Sequence, residues 1–219
     1  MVAEKKLTNG KLIAYVVIFF AIWSLRELVL QPIIAENLGD VSQTIAGSVI
    51  KLSVWTLPSF LFIKHYGNDM WLSLKDMFAR PKYFKGAPIL LLVFVPLLQA
   101  FFTHGEIAVR PGLDPLSLVG PVLFVGITEE TVFRGFLLNT LLKKTGTKRA
   151  VAINEALFVL IHYPIWISVG VEPTALLVSS VMVFAIGIFF SYSFIRTKNI
   201  VVPIVLHMIW NFSTIVFAV

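Results

Sequence analysis

Seven long apolar stretches limit how this chain can fold more than any other feature of its sequence. Each is close to or above the roughly 20 residues that a helix needs to cross the ~30 Å hydrocarbon core of a bilayer. Hydrophobic residues make up 58% of the 219 residues and charged residues 14%, too little polar surface for a water-soluble globule. The predicted fold class is therefore all-α, a polytopic membrane helical bundle. The seven predicted spans are Leu12–Leu30, Thr44–Ile63, Gly86–Thr103, Leu116–Leu142, Lys148–Ser168, Glu172–Ile195 and Ile200–Val219.

The basic residues predict how the chain is oriented. Fourteen of the 18 Lys and Arg residues precede the first span, lie in the loops after the second, fourth and sixth spans, or begin the fifth span, whereas the alternate loops contain only Arg110. Lys and Arg are enriched on the cytoplasmic side of membrane proteins, so we expect a cytoplasmic N-terminus in a plasma membrane. Anionic lipids attract basic residues, which accounts for the net charge of +6 without a nucleic-acid partner.

The loop between the second and third predicted spans has a pattern of its own. Trp71, Leu74 and Phe78 recur at helical spacing beside Lys75 and other basic residues. An apolar stripe flanked by basic residues is typical of a helix that lies in the membrane interface. We therefore predict an interfacial amphipathic helix within residues 64–85. The alternative is a basic cytoplasmic loop without a helix.

Charged residues inside the spans are the first candidates for function, because a charge at mid-bilayer costs about 2.5–3.5 kcal/mol even on the mildest scale. The fourth span contains Glu129, Glu130 and Arg134. Glu130 and Arg134 are four residues apart, so they share one helix face and can neutralise each other. Glu129 lies about 100° around the helix from Glu130 and needs a different partner.

The fifth and seventh spans add polar side chains that could act together with Glu129. Phe158 and His162 are four residues apart in the fifth span, and His207 and Asn211 are four apart in the seventh. A glutamate can serve as a general base, and His or Asn can donate to a developing oxyanion. One glutamate and two histidines could instead hold zinc. The chain contains no Cys, which excludes thiol nucleophiles and Cys-ligated metal.

Other charged residues inside the spans have more than one candidate role. Glu155 shares a helix face with His162, where it contacts substrate or pairs with Lys148 or Arg149 at the start of the same span. Glu27 and Lys51 lie near the outer ends of the first two spans and form a candidate structural pair.

The predicted spans place the polar motif residues at different depths in the membrane. Glu129 and His162 lie roughly 20 Å from the cytoplasmic ends of their predicted spans, whereas His207 lies only about 10 Å from the start of its span. Either the seventh span begins deeper, around Pro203, or helix tilt and long side chains close the gap.

Three motifs on separate spans resemble those of a known family. Residues 129–134, Glu-Glu-Thr-Val-Phe-Arg, resemble its first motif, EExxxR. Phe158 to His162 resembles the second, FxxxH, and His207 to Asn211 resembles the last, HxxxN. Their order is similar to that of the CAAX protease and bacteriocin-processing (CPBP, or Abi) family of intramembrane endopeptidases, which is related to the type II CAAX-prenyl endopeptidases.

The resemblance implies a role for each motif residue. By its match to the family, Glu129 would work with His162 to activate the attacking water, while His207 and Asn211 would hold the oxyanion. A divalent metal such as zinc, whose use by the family is disputed, would be held by Glu129, His162 and His207. The supporting residues are Glu130, Arg134 and Phe158.

The resemblance covers about half of the chain. We expect residues 1–219 to form a single integral membrane domain, in which residues 1–115 are N-terminal helices without a motif and residues 116–219 are the catalytic core.

The predicted function is hydrolysis of peptide bonds in membrane-associated peptides or proteins, in a cavity reached from the cytoplasm. The compact motifs suit a bacterial plasma membrane, and bacteria generally lack prenylated CAAX proteins. Peptide maturation or bacteriocin self-immunity is therefore favoured over prenyl-protein processing. The main alternative is a non-enzymatic immunity or partner-binding protein that retains the fold. A small transporter with a proton path is less favoured, because the sequence shows no internal repeat.

Overall fold

A computed structural model describes residues 6–82, 89–107 and 109–217, and all regular secondary structure in these ranges is helical. Seven helices are long and one is a single turn. The long helices coincide with the seven apolar stretches, which confirms the predicted all-α membrane bundle. The helices are α1 (Asn9–Asn37), α2 (Asp40–Asp69), α3 (Leu74–Met77), α4 (Ile89–His104), α5 (residues 115–145), α6 (Thr147–Ser168), α7 (Pro173–Thr197) and α8 (Val201–Val216).

The long helices have the dimensions and surface of membrane spans. Helices α1, α2, α6 and α7 are long and apolar enough to cross a bilayer, and α4 and α8 are shorter apolar helices of 16 residues each. Large apolar side chains cover the outside of the bundle; Phe102 is 81% exposed and Leu177 is 66% exposed. Lipid tails are the solvent that such a surface requires. The protein is therefore a multi-pass membrane protein.

Aromatic side chains hold the N-terminal helices against α5. Trp55 on α2 packs edge-on against Trp23 of α1, with ring centroids 4.3 Å apart. Tyr15 of α1 meets Phe136 of α5 in the same way at 4.6 Å. The tyrosine hydroxyl also bonds to the hydroxyl of Ser59 at 2.7 Å. The motif-bearing helix is thus packed directly against helices that carry no motif.

The predicted interfacial helix is reduced to the single turn of α3. Trp71 lies before this turn, and Phe78, after it, is 60% exposed. The buried side chain of the turn is Met77, 1% exposed, which does not belong to the predicted stripe. We call residues 70–82 the capping segment.

Hydrogen bonds to α5 explain why the capping segment does not continue as a helix. The Asn139 side chain accepts from the backbone N–H of Leu72 at 2.8 Å and donates to the carbonyl of Leu72 at 2.9 Å. The carbonyl of Asn139 accepts from the N–H of Trp71 at 3.1 Å. These bonds engage backbone groups that a helix would pair within itself.

The capping segment also fixes where α8 begins. The N–H of Ile200 donates to the carbonyl of Met77 at 2.9 Å, and the Asn199 side chain donates to the carbonyl of Ala79 at 2.6 Å. Thr197 is fully buried, and Asn199 and Ile200 are 4% and 3% exposed. The turn between α7 and α8 is therefore recessed beneath the capping segment. This is the first of the two explanations for the depth of His207: the last helix starts inside the bundle.

Candidate active site

Glu130 lies at the centre of a closed network in the bundle. Its Oε1 accepts from Nη1 of Arg134 at 3.0 Å, which confirms the pair predicted from their spacing. The same oxygen lies 2.7 Å from Nδ1 of His207, so this ring nitrogen donates to the carboxylate. Glu130 and Arg134 are 0% exposed and His207 is 4% exposed. The network thereby fixes the orientation of the His207 ring.

Arg134 extends the network to two further helices. Its Nη2 donates to Oε2 of Glu155 on α6 at 2.8 Å and to the carbonyl of Gly187 on α7 at 2.9 Å. The guanidinium carbon lies 4.5 Å from the ring centroid of Phe158 and 5.6 Å from that of Phe190. A charge that is paired, hydrogen-bonded and stacked on aromatic rings can be retained in an apolar interior.

The prediction that Glu155 pairs with Lys148 or Arg149 is wrong. Glu155 is 0% exposed and bonds to Arg134, and it also accepts from Ser191 and, at 2.8 Å, from the amide of Asn154. The sequence pattern could not show this partner, because the contact joins two helices whose relative rotation is set by packing.

Gly187 allows α7 to approach this network. A Cβ built on Gly187 would overlap Oε2 of Glu155 and would lie 3.2 Å from the Phe158 ring. Only a residue without a side chain leaves room for the carboxylate at this point.

Glu129, the neighbour of Glu130, lies on the wall of a cavity of about 300 Å³. Its nearest cation is Lys51 of α2, whose Nζ is 3.7 Å from Oε1. Its other oxygen, Oε2, lies 3.9 Å from Nε2 of His207 and has no hydrogen-bond partner among the described residues. The carboxylate is 6% exposed and is held by charge rather than by short hydrogen bonds. The cavity is lined by Trp23, Lys51, Trp55, Pro121, Val125, Glu129, Ile161, His162, Ile165, Asn211, Thr214 and Ile215.

His162 faces the same cavity from a break in α6. Pro164 lies in the first turn of the helical piece that follows, and it cannot donate a backbone hydrogen bond. Nδ1 of His162 donates to the carbonyl of Phe158 at 2.7 Å, which leaves Nε2 as the acceptor in a neutral ring. The break also frees the carbonyl of Ile161 to accept from the indole of Trp23 at 3.2 Å.

His207 and Asn211 are placed differently from each other. His207 lies behind the cavity, between Glu130 and Glu129, and is not part of the cavity wall. Asn211 does line the cavity, and its Nδ2 donates to the carbonyl of Pro121 at 2.8 Å. Phe158, the first residue of the second motif, packs edge-on against both imidazoles, with centroids 5.0 Å from His162 and 6.2 Å from His207.

The cavity lies in the half of the bundle that faces away from the basic loops. Thr214 and Ile215 in its wall are next to the end of α8 at Val216, and Ile165 is near the end of α6. The opposite half is filled by the Arg134 network and covered by the capping segment. The cavity residues thus lie toward the end of the bundle opposite the basic loops, and the expectation that the cavity is reached from the cytoplasm stays a prediction.

Lys51 and the two tryptophans beside it were not predicted as site residues. The predicted pairing of Lys51 with Glu27 is wrong, because Nη1 of Arg26 lies 2.5 Å from Glu27 and Lys51 pairs with Glu129. One sequence signal could have identified Lys51: it is an ionisable residue inside a span with no acidic residue three or four positions away.

The predicted metal ligands do not form a metal site in this arrangement. Among the described residues, no three His, Asp or Glu side chains are close enough to share an ion. The ammonium of Lys51 also neutralises Glu129, the one carboxylate on the cavity wall. Both features disfavour a zinc ion held by Glu129, His162 and His207.

Comparison with protein families supports the resemblance drawn from the motifs. Residues 111–213 match the family described as type II CAAX prenyl endopeptidase Rce1-like. The matched segment begins before the first motif and ends after the last, so all three motifs lie within it, and the predicted resemblance is confirmed. No curated protein and no solved structure matches the chain.

Proposed function

We propose that this protein is an intramembrane endopeptidase in which Glu129 and His162 activate water for attack on a peptide carbonyl. One observation carries the proposal: both side chains line a single cavity in the membrane-spanning bundle, and each has an acceptor atom free of hydrogen bonds to the described residues. The family match favours the same activity, because the matched family is named for endopeptidases.

The two acceptor atoms can each bind one hydrogen of the attacking water. The carboxylate of Glu129 takes a proton from the attacking water, and Nε2 of His162 accepts the second hydrogen bond of that water. The pair thereby orients an oxygen lone pair toward the carbonyl carbon. The apolar cavity wall limits competing water, which strengthens each electrostatic contact at the site.

The closed network supports this site from behind. Glu130 fixes the ring of His207, and Nε2 of that ring faces Glu129 at 3.9 Å. In this proposal His207 therefore lies behind the base and outside the cavity wall. Asn211 is on the cavity wall and uses one amide hydrogen for Pro121, so its second hydrogen can reach a substrate oxygen.

Membrane-associated peptides or proteins are the substrate class that we propose, because the cavity lies within a bundle whose outer surface is apolar. We further propose a bacterial plasma membrane as the location, with the basic loops and the N-terminus in the cytoplasm. Maturation of a peptide, or self-protection against a bacteriocin, would be the physiological role. Residues 116–219 form the catalytic core in this proposal, although α1 and α2 also supply part of the cavity wall.

Cleavage by the purified full-length protein tests the activity. The protein is reconstituted into liposomes, mixed with a library of synthetic hydrophobic peptides, and new peptide ends are identified by mass spectrometry. New internal ends should form with the wild-type protein and be absent with an equal amount of folded Glu129→Gln. Equal cleavage by both proteins, or by neither, would overturn the proposal.

The proposed orientation can be tested with single cysteines, because the natural chain has none. Glu172→Cys places a thiol in the loop between α6 and α7, and Arg149→Cys places one near the start of α6 at the basic face. In intact cells, a membrane-impermeant maleimide should label the first variant. The second should react only after the membrane is permeabilised. The reverse pattern would show that the basic loops face outward.

A further inference from the structure

Lys51 is a partly buried cation on the cavity wall that none of the three motifs includes. Its side chain is 17% exposed, and its Nζ lies 3.7 Å from Oε1 of Glu129. The ammonium is also 5.1 Å from the ring centroid of Trp23 and 5.5 Å from that of Trp55. All four residues line the same cavity. Aromatic faces attract a cation without forming hydrogen bonds to it in fixed directions.

The N–H donors of Lys51 are therefore not fully committed. An ammonium carries three donors, and 3.7 Å is longer than the 2.7–3.2 Å of a hydrogen bond to oxygen. Glu27 of α1 accepts a hydrogen bond from Arg26 and forms no ion pair with Lys51. Lys51 is thus able to donate into the cavity to a group that enters it.

The motif residues that resemble oxyanion donors are less available. Nδ1 of His207 is bound to Glu130, and the ring does not line the cavity. One amide hydrogen of Asn211 is bound to the carbonyl of Pro121. Among the residues that line the cavity, Lys51 is the one that combines a positive charge with free donors.

We infer that Lys51 is a catalytic residue that pairs with the oxyanion formed at the substrate carbonyl. This inference rests on the proposed function. The water oxygen bonds to the carbonyl carbon while one water proton passes to Glu129. The carbonyl π electrons move to the carbonyl oxygen, whose negative charge then faces the Lys51 ammonium.

The intermediate then breaks down to the two products. The electron pair on the oxyanion re-forms the C=O bond as the C–N bond breaks, and Glu129 gives its proton to the leaving nitrogen. The products are a carboxylic acid and an amine, and both enzyme side chains return to their starting states.

The separation of Lys51 and Glu129 fits these two roles. A water bonded to Glu129 and a carbonyl oxygen bonded to Lys51 would each lie about 2.7–3 Å from their partners. A base and a cation 3.7 Å apart can therefore contact the attacking and the accepting oxygen of the same reaction. A direct hydrogen bond between them would leave no room for either oxygen.

The test compares Lys51→Met with Lys64→Met in liposomes. Lys64 is an exposed residue of the same helix and lies outside the cavity wall, so its substitution removes an equal charge without touching the site. The probe is the peptide cut most rapidly in the library experiment, resynthesised with a fluorophore and quencher. We expect Lys51→Met to lower kcat by about 10²–10³. KM should change little, because the oxyanion exists only in the transition state.

Two further variants separate catalysis from a structural role. Lys51→Arg keeps a cation with N–H donors and should retain more activity than Lys51→Met. Added methylammonium should restore part of the kcat of Lys51→Ala and should reach saturation. Wild-type kcat in folded Lys51→Met, or no rescue by methylammonium, would overturn the inference. No cleavage by the wild-type protein would overturn the proposed function itself.

Discussion

The network around Arg134 and the cavity beside Glu129 contain the same kinds of side chain, yet one is closed and the other is open. In the network, Glu130 and Glu155 both bond to one guanidinium at 2.8–3.0 Å, and all three residues are fully buried. In the cavity wall, Glu129 meets Lys51 at 3.7 Å and makes no short hydrogen bond to the described residues. Oε2 of Glu130 also has no hydrogen-bond partner among these residues, so the difference lies in the short bonds to the guanidinium. Those bonds hold Glu130 in place, whereas a loose ion pair leaves Glu129 able to react.

The largest expected effect comes from Glu129→Gln, which removes the proposed base. Activity per folded molecule should fall by at least the 10²–10⁴ typical of general acid–base catalysis. The protein should still insert and accumulate, because Lys51 keeps its contacts with two tryptophan rings. Peptide-cleavage rates and the yield of folded protein in detergent check both parts. Full protection from a bacteriocin by this variant would favour the non-enzymatic alternative.

Arg134→Leu tests the hydrogen-bonded network around Arg134. It removes the only guanidinium of the network and leaves Glu130 and Glu155 buried without their cation. Breaking a buried ion pair in this way costs about 3–5 kcal/mol, so the folded yield and the thermal midpoint should both fall sharply. Glu130→Gln is the matched variant and should be milder, because Arg134 keeps Glu155. An Arg134→Leu protein as stable as wild type would show that the network does not hold the helices together.

Gly187→Ala tests the same network without changing any charge. The added methyl group would overlap Oε2 of Glu155 and force α7 or the carboxylate to move. Overpacking of this kind costs about 1–3 kcal/mol, which a thermal unfolding assay in detergent can resolve. Gly67→Ala is the control, because a Cβ there meets no atom within 4 Å and the backbone φ of −55° is normal for alanine. Equal stability of the two variants would contradict the close approach of α7.

The smallest effect is expected from Asn211→Ala. One neutral hydrogen bond contributes about 0.5–1.5 kcal/mol, so the cleavage rate should fall about two- to tenfold if Lys51 bears most of the oxyanion charge. Initial rates with the fluorogenic peptide measure the change, and folded Lys51→Met provides the comparison. If the cleavage rate fell by 10² or more in Asn211→Ala and changed little in Lys51→Met, Asn211 rather than Lys51 would be the residue that stabilises the oxyanion.

The parts of this structure that could be predicted from sequence depend on one helix at a time. Hydropathy located all seven long helices, because each span must be apolar over its own length. Spacing of four residues identified the pair of Glu130 and Arg134, because such residues share a helix face whatever surrounds it. Glu129 and His162 line one cavity because of how their two helices pack, and the spacing of residues within one helix does not specify that packing.

The parts that could not be predicted depend on how helices rotate and tilt against each other. The partners of Glu155 and Lys51 lie on other helices, and no periodicity in one helix specifies them. The prediction of an interfacial helix in the capping segment was wrong, because an apolar stripe at helical spacing does not show which partners the backbone groups will bond to. Its backbone hydrogen bonds go to Asn139 and Asn199 of the bundle instead.

The capping segment closes the basic end of the bundle, on the side of the Arg134 network away from the cavity. Below Glu129 the bundle is filled by buried aromatic and charged side chains, and residues 70–82 are bonded across its end. For a protease of the proposed kind, a polypeptide cannot be threaded through the molecule. It must enter by a chain end or as a bent loop. Glu129 lies about 21 Å along α5 from the first residue of that helix, a distance that about six extended residues span. The bond cut would therefore lie within a few residues of a terminus or at the tip of a turn, and both fragments would leave by the mouth through which the substrate came.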